Sequence, residues 1–254
     1  MRIALLSDVH ANLPALEAVL ETLEHIQPDA VYGLGDLVGY APWPNEVIAL
    51  VRKHRIATLA GNYDLGVGLN SNDCGCAYKT EAEAQDGAAS IAFTNRVITE
   101  DNRAYLRHLP RHIRLEYELE GMPLHLLWVH GSPRRVNEYL FEDRSDDSLD
   151  RMMQAAHASV LAFGHTHQPW VRRLPPLGLL PHVRWAVNTG SVGKPKDGDP
   201  RAGFTLLTLD WEAAADQWLQ IEHLRVPYDV ERAAQGILQS DLPPIFAERL
   251  RTAR

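Results

Sequence analysis

Five short clusters of metal-ligand residues, each closing an apolar run, constrain the fold of this chain more than any other feature. Asp8-Val9-His10, Gly35-Asp36, Gly61-Asn62, His130-Gly131 and Gly164-His165-Thr166-His167 each read as a strand end opening into a loop. Strand ends are where an α/β protein usually holds its ligands. Together the clusters offer two carboxylates, four imidazoles and one carboxamide, enough for two adjacent divalent metals. No thiolate is among them, which favours manganese, iron, cobalt, nickel or zinc.

The runs between these clusters set the fold class. Arg2 to Ser7 reads as a buried strand, and Pro14 opens a helix with the apolar stripe Leu16, Val19, Leu20 and Leu23. Ala30 to Leu34 is a second strand, Pro44 to His54 a second helix and Ile56 to Ala60 a third strand. This β-α-β-α-β opening implies parallel strands joined by helical crossovers. Residues 64 to 78, rich in Gly, Asn and Asp, read as a loop, with helices following at Thr80 to Thr99 and Asn102 to His108. Strands at His112 to Glu118 and Leu124 to Val129 turn at Gly121. A helix near Asp147 to His157 leads to a strand at Val160 to Phe163. Later strands, at Trp170 to Leu174, Val183 to Asn188, Phe204 to Leu209 and Trp218 to Val226, follow one another like hairpins, with two short helices after them. The expectation is a mixed α/β (α+β) architecture of two packed sheets with helices outside. No linker or internal repeat divides residues 1–254, so a single domain is expected.

Composition narrows the function. Apolar residues make up 45% and charged residues 23% of the chain, ordinary values for a soluble globular protein. The net charge of −8 and the absence of long basic runs argue against a nucleic-acid-binding surface. The first motif arrives at Asp8, so a signal peptide is not expected, nor is a membrane span, since no apolar stretch approaches that length. Cys74 and Cys76, one residue apart, would form a strained disulfide. Free thiols and a cytoplasmic location are expected.

Each cluster taken alone has a plain explanation. Asp8 resembles a helix N-cap, Gly61-Asn62 an αL turn and His130 a histidine before a turn. The glycines at 33, 35 and 39 superficially resemble a dinucleotide-binding run, but the third comes one residue late, and Asp36 would repel a pyrophosphate. Along an extended segment Asp8 and His10 point the same way, as do His165 and His167, so each pair reads as a two-pronged ligand. The remaining histidines lack ligand-type neighbours and read as structural, apart from His182, which a loop could carry towards the site. The weight lies in the coincidence of all five clusters.

In this order the clusters resemble the blocks of the calcineurin-like metallophosphoesterase superfamily: Asp-x-His, Gly-Asp, Gly-Asn-His-Asp/Glu, His-Gly and Gly-His-x-His. Asn188-Thr189-Gly190-Ser191-Val192-Gly193 is similar to the block that follows them. Ser7 to Asn12 and Gly198-Asp199-Pro200-Arg201 are similar to small bacterial phosphodiesterases. The resemblance implies a four-layer α/β/β/α sandwich of two mixed sheets flanked by helices. It implies one metal on Asp8, His10, His167 and a bridging Asp36, and a second on Asp36, Asn62, His130 and His165. It places Asp36, Asn62, Tyr63 and Asp64 in the catalytic group, with Asn62 and Tyr63 towards the phosphate, and Arg134, just after Ser132-Pro133, could also reach a phosphate oxygen. For Tyr63 simple packing beside the cluster stays open, and for Arg134 an ordinary surface position does.

One block departs from the pattern. Gly61-Asn62-Tyr63-Asp64 carries Tyr where relatives carry the His assigned to phosphate contact and leaving-group protonation. A phenol with an ordinary pKa near ~10 donates a hydrogen bond but is a poor acid at neutral pH. Activated phosphodiesters, nucleotide diesters and pyrophosphate bonds therefore suit the site better than alkyl monoesters. The expected reaction is one-step hydrolysis of a small phosphorylated substrate, by in-line attack of a hydroxide shared by two divalent ions such as manganese. The segment from Leu65 to Tyr78 could form a substrate-selecting rim. The alternatives are a phosphomonoesterase or dinucleoside polyphosphate hydrolase and, from another class, a non-catalytic scaffold of the same fold. Neither the oligomeric state nor a protein partner is legible.

Overall fold

A computed structural model describes residues 1–180, 183–213 and 217–254. Two five-stranded sheets face each other, and the described residues form ten strands and eight helices. The first sheet opens with β1 (Arg2–Leu6), β2 (Ala30–Gly33) and β3 (Ala57–Thr58) in parallel, joined through α1 (Leu13–Ile26) and α2 (Pro44–Lys53). Asn12 caps α1 by accepting from the Ala15 amide, and Pro14 sits in its first turn, where a missing N–H costs nothing.

After β3 come α3 (Asn62–Gly68), α4 (Glu81–Val97) and α5 (Glu100–Arg107). The second sheet follows with β4 (Ile113–Leu119), β5 (Met122–Trp128), α6 (Asp146–Ala155), β6 (Val160–Phe163), β7 (Trp170–Leu174) and β8 (Arg184–Asn188). The chain then returns through β9 (Ala202–Leu209) and β10 (Leu219–Val226), and ends in α7 (Val230–Leu238) and α8 (Ile245–Thr252). Strand order is β10-β9-β1-β2-β3 in one sheet and β4-β5-β6-β8-β7 in the other.

Two details differ from the sequence reading. The late strands are not one run of hairpins: β8 pairs in parallel with β6, and β9 crosses to the first sheet to lie antiparallel between β1 and β10. Residues 62–68, of which 64–68 read as loop, form α3. Its N-terminal turn is held by the Asp64 carboxylate, which accepts from the Gly61 amide; a charged cap outweighs the low helix propensity of Gly, Asn and Asp.

Period-two alternation builds the layers. Ile3 and Leu5 face the gap between the sheets with Leu126, Trp128, Val160 and Leu207. Ala4 and Leu6, on the other side of β1, meet Leu16, Val19 and Leu20 of α1. In the second sheet, Leu127, Leu161 and Phe163 turn outward onto Leu149 and Met153 of α6. Each fully buried Leu, Val or Ile contributes roughly 1.5–3 kcal/mol, so both faces of both sheets are strongly specified. The result is the four-layer α/β/β/α sandwich. Because β1, β2, β3, β5, β6 and β8 run parallel within their sheets, their C-terminal ends gather along one edge. No helix of the described residues is long and apolar enough to cross a membrane.

Candidate metal centre

Beyond the strand ends the loops stay zipped together. The amides of Asp8, His10 and Ala11 donate to the carbonyls of Gly35, Asp36 and Leu37 at 3.0, 2.9 and 2.8 Å. The Gly164 amide donates to the His130 carbonyl at 2.9 Å. This zipping brings two groups of buried donors together: Asp8, His10 and His167, and Asp36, His130 and His165. The backbone there is not extended. Asp8, His10, Asp36, His165 and His167 have φ of 53°, 48°, 53°, 66° and 60°, the left-handed region that costs a non-glycine residue energy and that clusters at functional sites. The strand alternation expected for the two i, i+2 pairs is therefore absent. Asp8 and His10 still share one group, but His165 and His167 divide between the two.

The glycines of the motifs make room. A Cβ on Gly61 would sit 2.0 Å from Asp36 Oδ1, and one on Gly164 would sit 2.4 Å from Asp8 Oδ2.

Each donor is oriented from behind. His10 Nδ1 donates to the Val38 carbonyl at 2.9 Å, His130 Nδ1 to Leu34 at 2.7 Å and His167 Nδ1 to Lys194 at 2.5 Å. A carbonyl accepts only from N–H, so all three rings turn Nε2 to the site, where the neutral ring offers a lone pair. Asp8 Oδ2 accepts from Ser7 Oγ at 2.6 Å and the His165 amide at 2.9 Å, leaving Oδ1 for the site. Asn62 Nδ2 donates to the Cys74 carbonyl at 2.9 Å, which aims its Oδ1 at His130. The Asn188 to Gly193 block works from outside: Asn188 Nδ2 donates to Gly164 and Thr166, and Ser191 Oγ to the Asp8 carbonyl.

The lone pairs then face one another. His10 Nε2 lies 3.2 Å from His167 Nε2, and His130 Nε2 lies 3.1 Å from Asn62 Oδ1. Asp8 Oδ1 and His165 Nε2 are buried with no hydrogen-bond partner among the described residues. Asp36 Oδ2 sits 3.6 Å from His10 Nε2 and 3.3 Å from His130 Nε2, between the two groups. Buried acceptors crowded together in this way call for positive charge at their centre. The donor set fits two divalent ions sharing Asp36.

The ionisation of the site agrees. Burial alone would suppress the His130 cation, yet Asp36 and Asp8 outweigh it and raise its pKa to about 10. Burial and neighbouring cations push His165 down to about 2 and His167 to about 4. Burial opposes ionisation of Asp8, but the surrounding imidazoles hold its pKa low.

Of the remaining expected residues, Tyr63 lines a cavity of about 500 Å³ with His10, Asp36, His165 and His167. Its hydroxyl is buried with no hydrogen-bond partner among the described residues, and burial raises its pKa well above the ordinary value. Its ring stands edge-on to His10, with centroids 5.4 Å apart. Asp64, expected in the catalytic group, sits behind the metal-ligand groups, its two oxygens accepting from the Leu37 and Gly61 amides at 2.9 Å each. Burial and the Asp36 charge raise its pKa to about 7. Arg134 stands apart from these residues. It is half-exposed, ion-paired to Glu138 and outside this cavity, because Ser132 Oγ folds the segment into a turn by accepting from the amides of 134 and 135. Cys74 and Cys76 are free thiols. Of the expected rim, Cys76, Ala77 and Tyr78 reach the cavity. His182 lies outside the described residues.

Several cavity residues escaped the sequence reading. Lys194 is buried, with Nζ 4.3 Å from the Tyr40 ring centroid, and Lys196 stands beside it. Burial pushes both ammonium pKa values down. Tyr139 lies against His165, with centroids 4.0 Å apart, and stacks with Phe141. The signal for the lysines was positional, since Lys194-Pro195-Lys196 directly follows the block ending at Gly193. For the aromatics there was none.

Comparison with known proteins places this geometry. Residues 1–212 match the calcineurin-like phosphoesterase superfamily domain. An uncharacterized protein of Methanocaldococcus jannaschii is 32% identical, the alignment covering 98% of this chain and 96% of that one. The crystal structure of a metallophosphoesterase from Sphaerobacter thermophilus is 28% identical with a TM-score of 0.73, covering 100% of this chain and 99% of its own. A hypothetical protein from Pyrococcus horikoshii shares the fold at a TM-score of 0.78 and 22% identity, covering 100% of this chain and 98% of its own.

Proposed function

This chain belongs to the calcineurin-like phosphoesterase superfamily, and from that premise we propose that it is a dinuclear metal-dependent phosphodiesterase. The observation that carries the reading is Asp36 Oδ2, held between His10 and His130 at 3.6 and 3.3 Å, with unpartnered acceptors on either side. Asp8, His10, Asp36 and His167 would hold one ion, and Asp36, Asn62, His130 and His165 the other. Bound there, the ions would neutralise phosphate charge and acidify the attacking water. Manganese, iron, cobalt, nickel and zinc all suit the donors.

The chain's own residues would do the rest. Lys194 and Lys196 line the same cavity and would meet the phosphate oxygens there, a bound phosphate favouring the ammonium form that burial suppresses. Tyr63 donates a hydrogen bond but keeps its proton at neutral pH, so the leaving group must depart largely unassisted. Good leaving groups are therefore preferred. Tyr139 and Phe141, stacked at 5.8 Å, form an apolar shelf on which an ester arm can rest. An arm on each side of the phosphate describes a diester.

The test compares bis(4-nitrophenyl) phosphate with 4-nitrophenyl phosphate under manganese. The diester should turn over faster, and equal or faster monoester turnover removes the diester preference. Loss of both activities in Asp36→Asn is expected in either case.

A further inference from the structure

A second concavity, of about 630 Å³, lies under α6 and is lined by arginines from three separate segments: Arg111 and Arg114 at the start of β4, Arg134 and Arg135 after the His130 loop, and Arg151 on α6. No carboxylate lines it, although the chain as a whole is acidic. Elsewhere most arginines are matched to carboxylates, as in Arg52 with Asp101, Arg184 with Asp150 and Arg251 with Glu231. Within the concavity two are also committed. Arg134 pairs with Glu138, and Arg114 donates to the Ala156 and His157 carbonyls at the end of α6. Arg111, Arg135 and Arg151 form no ion pair among the described residues.

Three solvent-exposed guanidinium groups without carboxylate partners line one hollow, and an anion bound there would relieve their mutual repulsion. Their planar forks match phosphate oxygens two at a time. The floor is apolar, built from Val129, Met152 and Ala155, so it competes for no charge. The space exceeds what one phosphate fills and lies within the range of small-molecule sites. We propose that this concavity binds a compact polyphosphate anion, two or more consecutive phosphates carried by a nucleotide or by inorganic polyphosphate. His130 belongs to its wall, so the site neighbours the metal centre without sharing the cavity above it. The proposal stands independently of the phosphodiesterase reading.

The test uses the full-length protein freed of metal by chelation. It is titrated calorimetrically with tripolyphosphate, ATP and orthophosphate at two salt concentrations. Tripolyphosphate, ATP or both should bind saturably and more weakly at higher salt, and orthophosphate should bind far more weakly. The double variant Arg135→Ala/Arg151→Ala should lose about tenfold or more in affinity, while Asp36→Asn binds as the parent does. The lysine pair at 135 and 151 should recover part of the loss, and Arg111→Ala repeats the test should the double variant melt early. Binding of ATP alone names a nucleotide as the source, and binding of tripolyphosphate alone names the inorganic chain. Four results would overturn the proposal: no saturable binding of either, equal affinity in the arginine variants, loss confined to Asp36→Asn, or tighter binding of an oligonucleotide per phosphate than of tripolyphosphate.

Discussion

At the residue scale, histidine tautomers decide what the centre can hold. Three Nδ1–H groups are committed to backbone carbonyls, so it is Nε2 of each ring that faces the centre, as a lone pair on His10 and His167 and on His130 once its second proton has left. His130 is the one imidazole whose pKa is raised, to about 10. A group with a raised pKa holds its proton below that value, so His130 is protonated at neutral pH until a metal displaces the proton. Metal binding at pH 7.5 should therefore release about one proton per His130 engaged, and affinity should fall as pH drops. His165 and His167, at about 2 and 4, are already neutral and add none. Calorimetry in buffers of different ionisation enthalpy reads this directly, and proton release of zero would refute the assignment. Tyr63 gives a second prediction. Because its phenol holds its proton, Tyr63→His should raise turnover of a poor-leaving-group diester by about tenfold or more, and Tyr63→Phe should not. Equal turnover of both variants would remove the leaving-group argument.

At the element scale, α3 carries the site on a single charged cap. Asp64 accepts from the Gly61 and Leu37 amides and so ties the third strand end to the second. Asp64→Asn keeps one acceptor and turns an amide against the other N–H, so it should cost about 1–3 kcal/mol of stability, read as a lower unfolding midpoint. It should also weaken metal binding through Asp36, whose Oδ1 accepts from the Tyr63 amide at the head of the same helix. An unchanged midpoint would show that Asp64 bears no such load. The same element shows where the sequence was legible. Asp36 and Asn62 stood out because glycines precede them at the ends of apolar runs, and the helices α1 and α2 stood out through Pro14 and Pro44 and their apolar stripes. Helix α3 did not, since a side-chain cap reaching across 27 residues to Leu37 leaves no local pattern. Tyr139 was hidden for the same reason, since its place is tertiary, on a cavity wall assembled from distant segments, while Lys194 was marked only by its position just after Gly193. The left-handed backbone at Asp8, His10, His165 and His167 was also invisible, and the right grouping of Asp8 with His10 was reached from the wrong local geometry.

At the scale of the whole molecule, the two sheets serve as a clamp. Parallel strands from both deliver their C-terminal ends to one edge, and the core between the sheets fixes the spacing of those ends. Trp128, fully buried in that core and two residues before His130, links packing to the centre. Trp128→Ala should cost about 3–5 kcal/mol and lower metal occupancy with stability, whereas an outward substitution such as Glu116→Ala on the exposed face of β4 should leave both unchanged. Thermal melts with and without added manganese separate the two effects, and a Trp128 variant melting like the parent would contradict the clamp. The most direct test of the account's central claim is metal content per chain, measured by mass spectrometry on purified protein and on Asp36→Asn. Two divalent ions per chain in the parent, and at most one in the variant, are predicted. Equal content in the two proteins, or none in either, would contradict it.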